Sequence, residues 1–181
     1  MKPTDILSEE HKVILMVCDA AEREARAMRA AGRADAERVG KMVDFFRNFA
    51  DHCHHAKEEK HLFVKMGEKG FPSDFGPVGM MLHEHEVSRA NVAAVADHLA
   101  AAAAGDAAAL AAVADNLLGY VSLLRAHIHK EDHILYPMAN QAFTEDDQAG
   151  LAAAFERVER DEIGAGVHEK YHRLAHELAS V

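Results

Sequence analysis

The chain of 181 residues has no tryptophan, two cysteines, four prolines and eleven glycines, and aromatic residues make up only 6% of it. Cys18 and Cys53 lie far apart and outside any CxxC pattern. That spacing excludes a disulfide framework and reads as reduced core thiols of a cytoplasmic protein. No apolar run approaches the roughly 20 residues of a membrane span. The opening MKPTDILSEEH lacks the apolar stretch of a signal peptide, so no membrane partner is expected. Positive charge is also in deficit. Twenty basic against thirty acidic side chains leave a net charge of −10, which argues against a general nucleic-acid binder.

Hydrophobic residues account for 49% of the chain, enough for a sizeable core. The length suits a single domain, 1–181. Abundant alanine with Glu, Asp, Arg and Lys favours helices, and no strand pattern competes. Helical periodicity predicts a first helix from about Thr4 to Ala31, capped by Thr4 or Asp5 and ended by Gly32. A second runs from about Asp35 to Lys69 and a third from about Pro77 to Ala104. A fourth runs from about Asp106 to Phe143, with a kink near Pro137. Four long helices with short connections fit an all-α, up-down-up-down bundle over about 4–143. A shorter helix from Thr144 to about Arg160 and a last one near 167–180, parted by GAG at 164–166, form a C-terminal extension.

Histidine is the abundant oddity, with fourteen dispersed along the chain. The stretch DHCHHAKEEKHLF, residues 51–63, holds two overlapping HxxxE pairs, His54/Glu58 and His55/Glu59. On an α-helix residues i and i+4 share a face, so either pair could grip one ion. Stepping from His55/Glu59 at helical spacing meets Phe45, Phe49, His52, Leu62, Phe63 and Met66. The other register meets Arg47, Asp51, His61 and Lys65. The spacing therefore turns His55 and Glu59 inward and leaves His54 and His61 at the surface. An inward Glu59 on its own would read as an internal salt bridge.

The fourth helix repeats the pattern. His127 and Glu131 share a face with Tyr120, Leu123, Leu124, Ile134, Leu135 and Met138, while His129 and His133 fall outside it. His11 shares a face with Leu7, Ile14, Leu15 and Cys18, and His85 with Val78, Met81, Leu82 and Val92. A lone histidine on an apolar face is ordinarily a hydrogen-bonded core residue. Here each long helix turns one inward, and two of them add a glutamate one turn later. The joint pattern points to a shared metal site. Imidazoles mixed with carboxylates on facing helices suit iron or manganese better than zinc, calcium or magnesium. Six or seven ligands suit a pair of ions, most naturally iron.

These residues resemble the hemerythrin-like HHE cation-binding family. The resemblance rests on LSEEH ending at His11, HHAKEEKHLF with His55 and Glu59, GPVGMMLHEHEVSR with His85, and LLRAHIHKEDHILYPM with His127 and Glu131. It implies a hemerythrin-type bundle around a non-haem centre of two Fe ions, bridged by carboxylates and an oxo or hydroxo group, with one open position. Relatives bind dioxygen, sense oxygen or iron, handle nitric oxide or act on peroxide. The chain departs from the oxygen carriers one turn before His85, where Met81 replaces an imidazole. His168 of the extension is the expected substitute, followed by His172, His83 and Glu84. The expected metal set is therefore His11, His55, Glu59, His85, His127, Glu131 and His168.

Two function classes follow. One is a binding or sensing protein for dioxygen, nitric oxide or peroxide. The other is an enzyme that decomposes peroxide or oxidises ferrous iron, with Tyr120 or Tyr171 as a proton donor. HEKYH at 168–172 also matches the HExxH zinc-protease signature, but no third ligand follows it. Helical bundles with apolar outer stripes commonly pair, so a monomer or a homodimer is expected.

Overall fold

The computed structural model describes residues 1–164 and 166–180, and the described residues form helices and no strands. The first rod is α1, Pro3–Ala31. Asp5 accepts a hydrogen bond from the Lys2 backbone N–H at 2.8 Å, and Gly32 ends the rod in the left-handed conformation at φ 68°. The second rod begins as α2, Ala36–Phe45, continues through two π-helical segments, π1 (Phe46–His55) and π2 (Glu58–Leu62), and closes as α3, Phe63–Glu68. The third is α4, Gly76–Ala103, with Pro77 in its first turn. The fourth is α5, Ala107–Lys130, then π3, Glu131–Leu135, then α6, Tyr136–Ala142. Asp106 caps its start by accepting from the Ala109 N–H at 2.8 Å.

The rods alternate in direction because the connections are short. The extension supplies α7 (Glu145–Arg157), π4 (Val158–Ile163) and α8 (Val167–Ala179). Of the GAG break, Gly164 and Gly166 are described and residue 165 lies outside the described residues. Helix α8 packs on α1 and α2, and α7 on α1 and the middle of the second rod. One core fills the upper bundle around Val17, Phe45, Phe46, Leu117 and Tyr120. A second fills the lower end around Leu7, Leu62, Met66, Leu135 and Phe155.

The π segments are where α-helical spacing misreads the chain. A π turn closes i→i+5 rather than i→i+4, so each one slips the register. In the second rod the buried positions run Phe49, His54, Glu58, Leu62 and Met66, about every fourth residue rather than every 3.6. His54, expected at the surface, is 1% exposed, and Glu58 is fully buried. Glu59, expected inside, keeps 28% of its side-chain exposure. His61 is half-buried beside Phe155. In the fourth rod π3 does the same. Ile134, expected on the core face, is 51% exposed, while Leu135, Tyr136 and Ala139 turn inward. Pro137 has no N–H for the helical ladder, and the widened turn lies directly before it.

The helix Ala107–Ala142 is long and apolar enough by composition to cross a membrane. In this fold its buried side packs on α1 and α4 and carries His127 and Glu131.

Candidate metal centre

Between the two cores lies a polar middle. His11 comes from α1, His54 and His55 from π1, Glu58 from π2, His85 from α4, His127 from α5 and Glu131 from π3. All seven are at most 2% exposed. Their donor atoms fall into two adjacent groups. One holds His55, Glu58, His85 and His127, and the other His11, His54 and Glu131, with the donors of each group within 4.8 Å of one another.

The two carboxylates reach across both groups. Glu58 Oε2 stands 3.4 Å from His85 Nε2 and 3.7 Å from His54 Nε2. Glu131 places Oε1 3.1 Å from His127 Nε2 and Oε2 3.2 Å from His11 Nε2. Nitrogen also faces nitrogen: His11 and His54 bring their Nε2 atoms to 3.0 Å, and His85 and His127 theirs to 3.1 Å. The His55 ring stacks on His85 at 3.8 Å.

Every one of the five rings is held from outside by a carboxylate on Nδ1. Asp132 takes His11 at 3.0 Å, Glu10 takes His54 at 2.9 Å and Asp51 takes His55 at 3.2 Å. Glu59 takes His85 at 2.7 Å and Glu84 takes His127 at 2.8 Å. These carboxylates are themselves supported. Ser8 donates to Asp132, Arg89 to both Asp51 and Glu59, Lys130 to Glu84 and Lys57 to Glu10. With Nδ1–H donated outward, a neutral imidazole aims the lone pair of Nε2 into the middle. Five lone pairs there meet two carboxylates.

That arrangement calls for cations. Glu58 Oε2 and both oxygens of Glu131 are buried and accept no hydrogen bond, although ring nitrogens lie at 3.1–3.7 Å. Three of those approaches, at 3.1–3.4 Å, come close without forming a hydrogen bond, and the His54 approach at 3.7 Å is too long for one. Buried polar groups are normally satisfied, and acceptors facing acceptors are stable only with protons or metal ions between them. Without metal, protons take that place. Burial alone would lower His11, but Asp132 and Glu131 outweigh it and raise it to about 10. Burial likewise opposes His85, and Glu58 and Glu59 lift it to about 9. His127 is raised against burial by Glu131. Burial and the neighbouring His85 hold His55 well below its ordinary value. Glu131 stays far below the carboxylate range because His127 and His11 offset its burial.

Of the residues expected from the sequence, His11, His55, His85, His127 and Glu131 converge here. Glu59 and His168 do not aim into the middle. Glu59 sits outside His85 and pairs with Arg89. His168 is half-buried in α8, with its Nδ1 3.5 Å from Glu159 and its Nε2 3.0 Å from that of His172. Met81 is buried in the lower core, and the additional imidazole in the middle is His54, from the same segment as His55. His83 is exposed, and Glu84 supports His127 from outside. Sequence reasoning also missed Tyr136, whose Oη donates to Glu58 Oε1 at 2.7 Å and lies 3.4 Å from His11 Nε2. The doubled HH at 54–55, followed by EE at 58–59, was the available signal: with one widened turn between them, both imidazoles can face the core. Tyr120 and Tyr171 lie elsewhere, the first packed on Phe46 at 4.4 Å and the second donating to Asp44 at 3.1 Å.

Fold and site together define an all-helical bundle with a buried, imidazole-rich cation site between its rods. The chain belongs to the hemerythrin HHE cation-binding domain family, whose model matches residues 2–139. It is similar to uncharacterized proteins of Mycobacterium tuberculosis and Mycobacterium bovis, at 24% identity over 162 residues. That alignment covers 90% of this chain and spans 62% of the length of those relatives. No solved structure gives a significant match.

Proposed function

We propose that the chain is a non-haem di-iron protein that binds dioxygen, or a related small molecule such as nitric oxide or peroxide, between its rods. One observation carries this reading: five imidazole Nε2 atoms and two buried carboxylates, three of whose oxygens lack any hydrogen bond, converge in one buried space. His55, His85 and His127 with Glu58 would hold one ion, and His11 and His54 with Glu131 the other. Glu58 and Glu131 are each placed between the two groups. Mixed imidazole and carboxylate donors suit iron or manganese. A bound iron pair would supply one-electron chemistry and a Lewis-acid position for a small ligand. The His11–His54 side offers one imidazole fewer, so that side has room for the ligand.

The residues around the centre supply the rest. The outer carboxylates fix each ring's tautomer and direction, as such supports do in metal sites. Leu62, Phe63 and Met81 exclude water from the lower side. A cavity of about 140 Å³, lined by Phe46, Asp51, His55, Arg89 and Tyr120 among others, touches the centre at His55, on the side of the other group, that of Glu58, His85 and His127.

Tyr136 favours a second reading, an enzyme that decomposes peroxide or oxidises ferrous iron. Its phenol is buried beside the His11–His54 side, and burial with Glu131 and Glu58 nearby keeps it protonated far above its ordinary range. It therefore holds a proton at Oη within reach of a ligand there. Iron quantification followed by stopped-flow mixing with dioxygen, nitric oxide and peroxide tests both readings. About two irons per chain and a stable band with dioxygen support binding. Sustained gas release from peroxide that falls at least tenfold in Tyr136→Phe supports the enzyme. A chain holding one zinc and no iron refutes both.

A further inference from the structure

Outside the centre, the largest cluster of metal-capable groups joins the bundle to the extension. Glu10, Cys53, Glu159 and His168 bring their donor atoms within 4.8 Å of one another. A cation already stands among them. The ammonium of Lys57, whose side chain is 1% exposed, is paired with both Glu10 and Glu159. Cys53 adds a thiol donating to Glu159 at 3.4 Å, and burial pushes that thiol well above its ordinary range, away from a thiolate ligand. One ammonium already stands between the two carboxylates and the thiol stays protonated, so the cluster is an ionic chain rather than an ion site.

The chain has a direction. Glu159 in π4 holds Lys57, Lys57 holds Glu10 Oε1, and Glu10 Oε2 takes the Nδ1–H of His54 at 2.9 Å. Supports of the other four rings close within the bundle: Ser8 on Asp132, Arg89 on Asp51 and Glu59, and Lys130 on Glu84. Among the described residues, only the support of His54 passes outward to residues beyond 139, where the family match ends. A buried ammonium is costly without counter-charges. Without Glu159, Lys57 would be held by Glu10 alone, and the carboxylate that also holds His54 would be free to shift with it.

We infer that Lys57 and Glu159 are positioning residues for His54, through which the C-terminal extension sets the orientation and tautomer of one imidazole of the centre. The inference rests, for its metal consequence, on the two-ion reading. A carboxylate directly on a ligating ring, as Glu10 is on His54, is worth about 10–100-fold in metal affinity, and Lys57 and Glu159 act through it.

The experiment uses the full chain and the variant Glu159→Gln, with His168→Gln as the control. Histidine ¹⁵N spectra of the metal-free protein read the ring tautomers, and cobalt(II) titration reads the two binding steps. The expected result for E159Q is a changed His54 tautomer signal with the other four rings unmoved, and one cobalt step weakened at least tenfold while the other is unchanged. H168Q should match the parent in both. An E159Q protein that folds and keeps the His54 signal and both cobalt steps overturns the inference. If E159Q does not fold, Glu159→Asp, which keeps the charge but shortens the reach to Lys57, is read the same way. A parent chain that takes up fewer than two ions refutes the two-ion reading instead, and the metal-free spectra still decide the positioning role either way.

Discussion

At the scale of single residues, the neighbours Glu58 and Glu59 separate two roles that look interchangeable in the sequence. Glu58 has an oxygen with no hydrogen bond facing two imidazoles, whereas Glu59 is satisfied by His85 and Arg89. Glu58→Gln should therefore bind at most one ion per chain by elemental analysis. Glu59→Gln should keep both ions with about 10–100-fold weaker affinity. Equal iron in the two variants would contradict the inward register of Glu58. The raised pKa values of His11 and His85 give a second expectation. A histidine whose folded pKa is raised stabilises the fold fully below its unfolded pKa and loses that contribution as pH climbs through the folded one. For His85 and His11 the windows run from about 6.5 to about 9 and about 10. The metal-free chain should lose stability to denaturant as pH is raised across that range. Metal uptake at pH 7 should release protons, measurable by calorimetry in buffers of different ionisation enthalpy, and affinity should rise with pH.

At the scale of elements, the rods were legible and the turns within them were not. Helix starts and ends follow from local chemistry: Asp106 and Thr144 cap, Gly32 and Gly105 terminate, and the alanines on either side of Gly105 favour helix. The rods α1 and α4 are α-helical throughout, and spacing turned His11 and His85 inward as the structure has them. In the fourth rod the reading held up to Glu131, where π3 begins, and slipped after it, hiding Tyr136. In the second rod π1 itself carries His54 and His55, so the slip fell on the site and exchanged Glu58 for Glu59 while concealing His54. Nothing local forbids an α-helix over Phe46–Leu62. The wide turns form because seven polar groups on four rods must meet, which is a tertiary requirement. This has a direct test. Deleting exposed His52 removes the additional residue and lets π1 relax to α-helix, with both flanks in place. The variant should keep its helical circular dichroism yet lose one of the imidazoles at 54–55 from the middle, and with it at least half of the bound metal.

At the scale of the whole molecule, the centre is a stability device as well as a site. It sits between two separate apolar cores, so the rods are joined at mid-height by polar groups that do not satisfy one another. Metal ions held by these donors would tie all four rods together. Because the unfolded chain cannot present the same seven donors at once, metal binds the folded state preferentially and binding free energy becomes folding free energy. Free metal at 100 times Kd contributes about 2.7 kcal/mol per independent site. For a chain of this length each kcal/mol moves the midpoint by about 2–4 °C, so one site should raise Tm by roughly 5–10 °C. The shift should grow with the logarithm of added cobalt(II) and vanish in Glu131→Gln, which removes a carboxylate that reaches both groups. It should persist in His168→Gln, whose ring stands outside the centre beside Glu159. Scanning calorimetry with and without a chelator measures each case. A Tm indifferent to metal in the parent chain would mean that protons alone reconcile the facing nitrogens and carboxylates, and the centre would then be a buried ionic cluster with no resident ions.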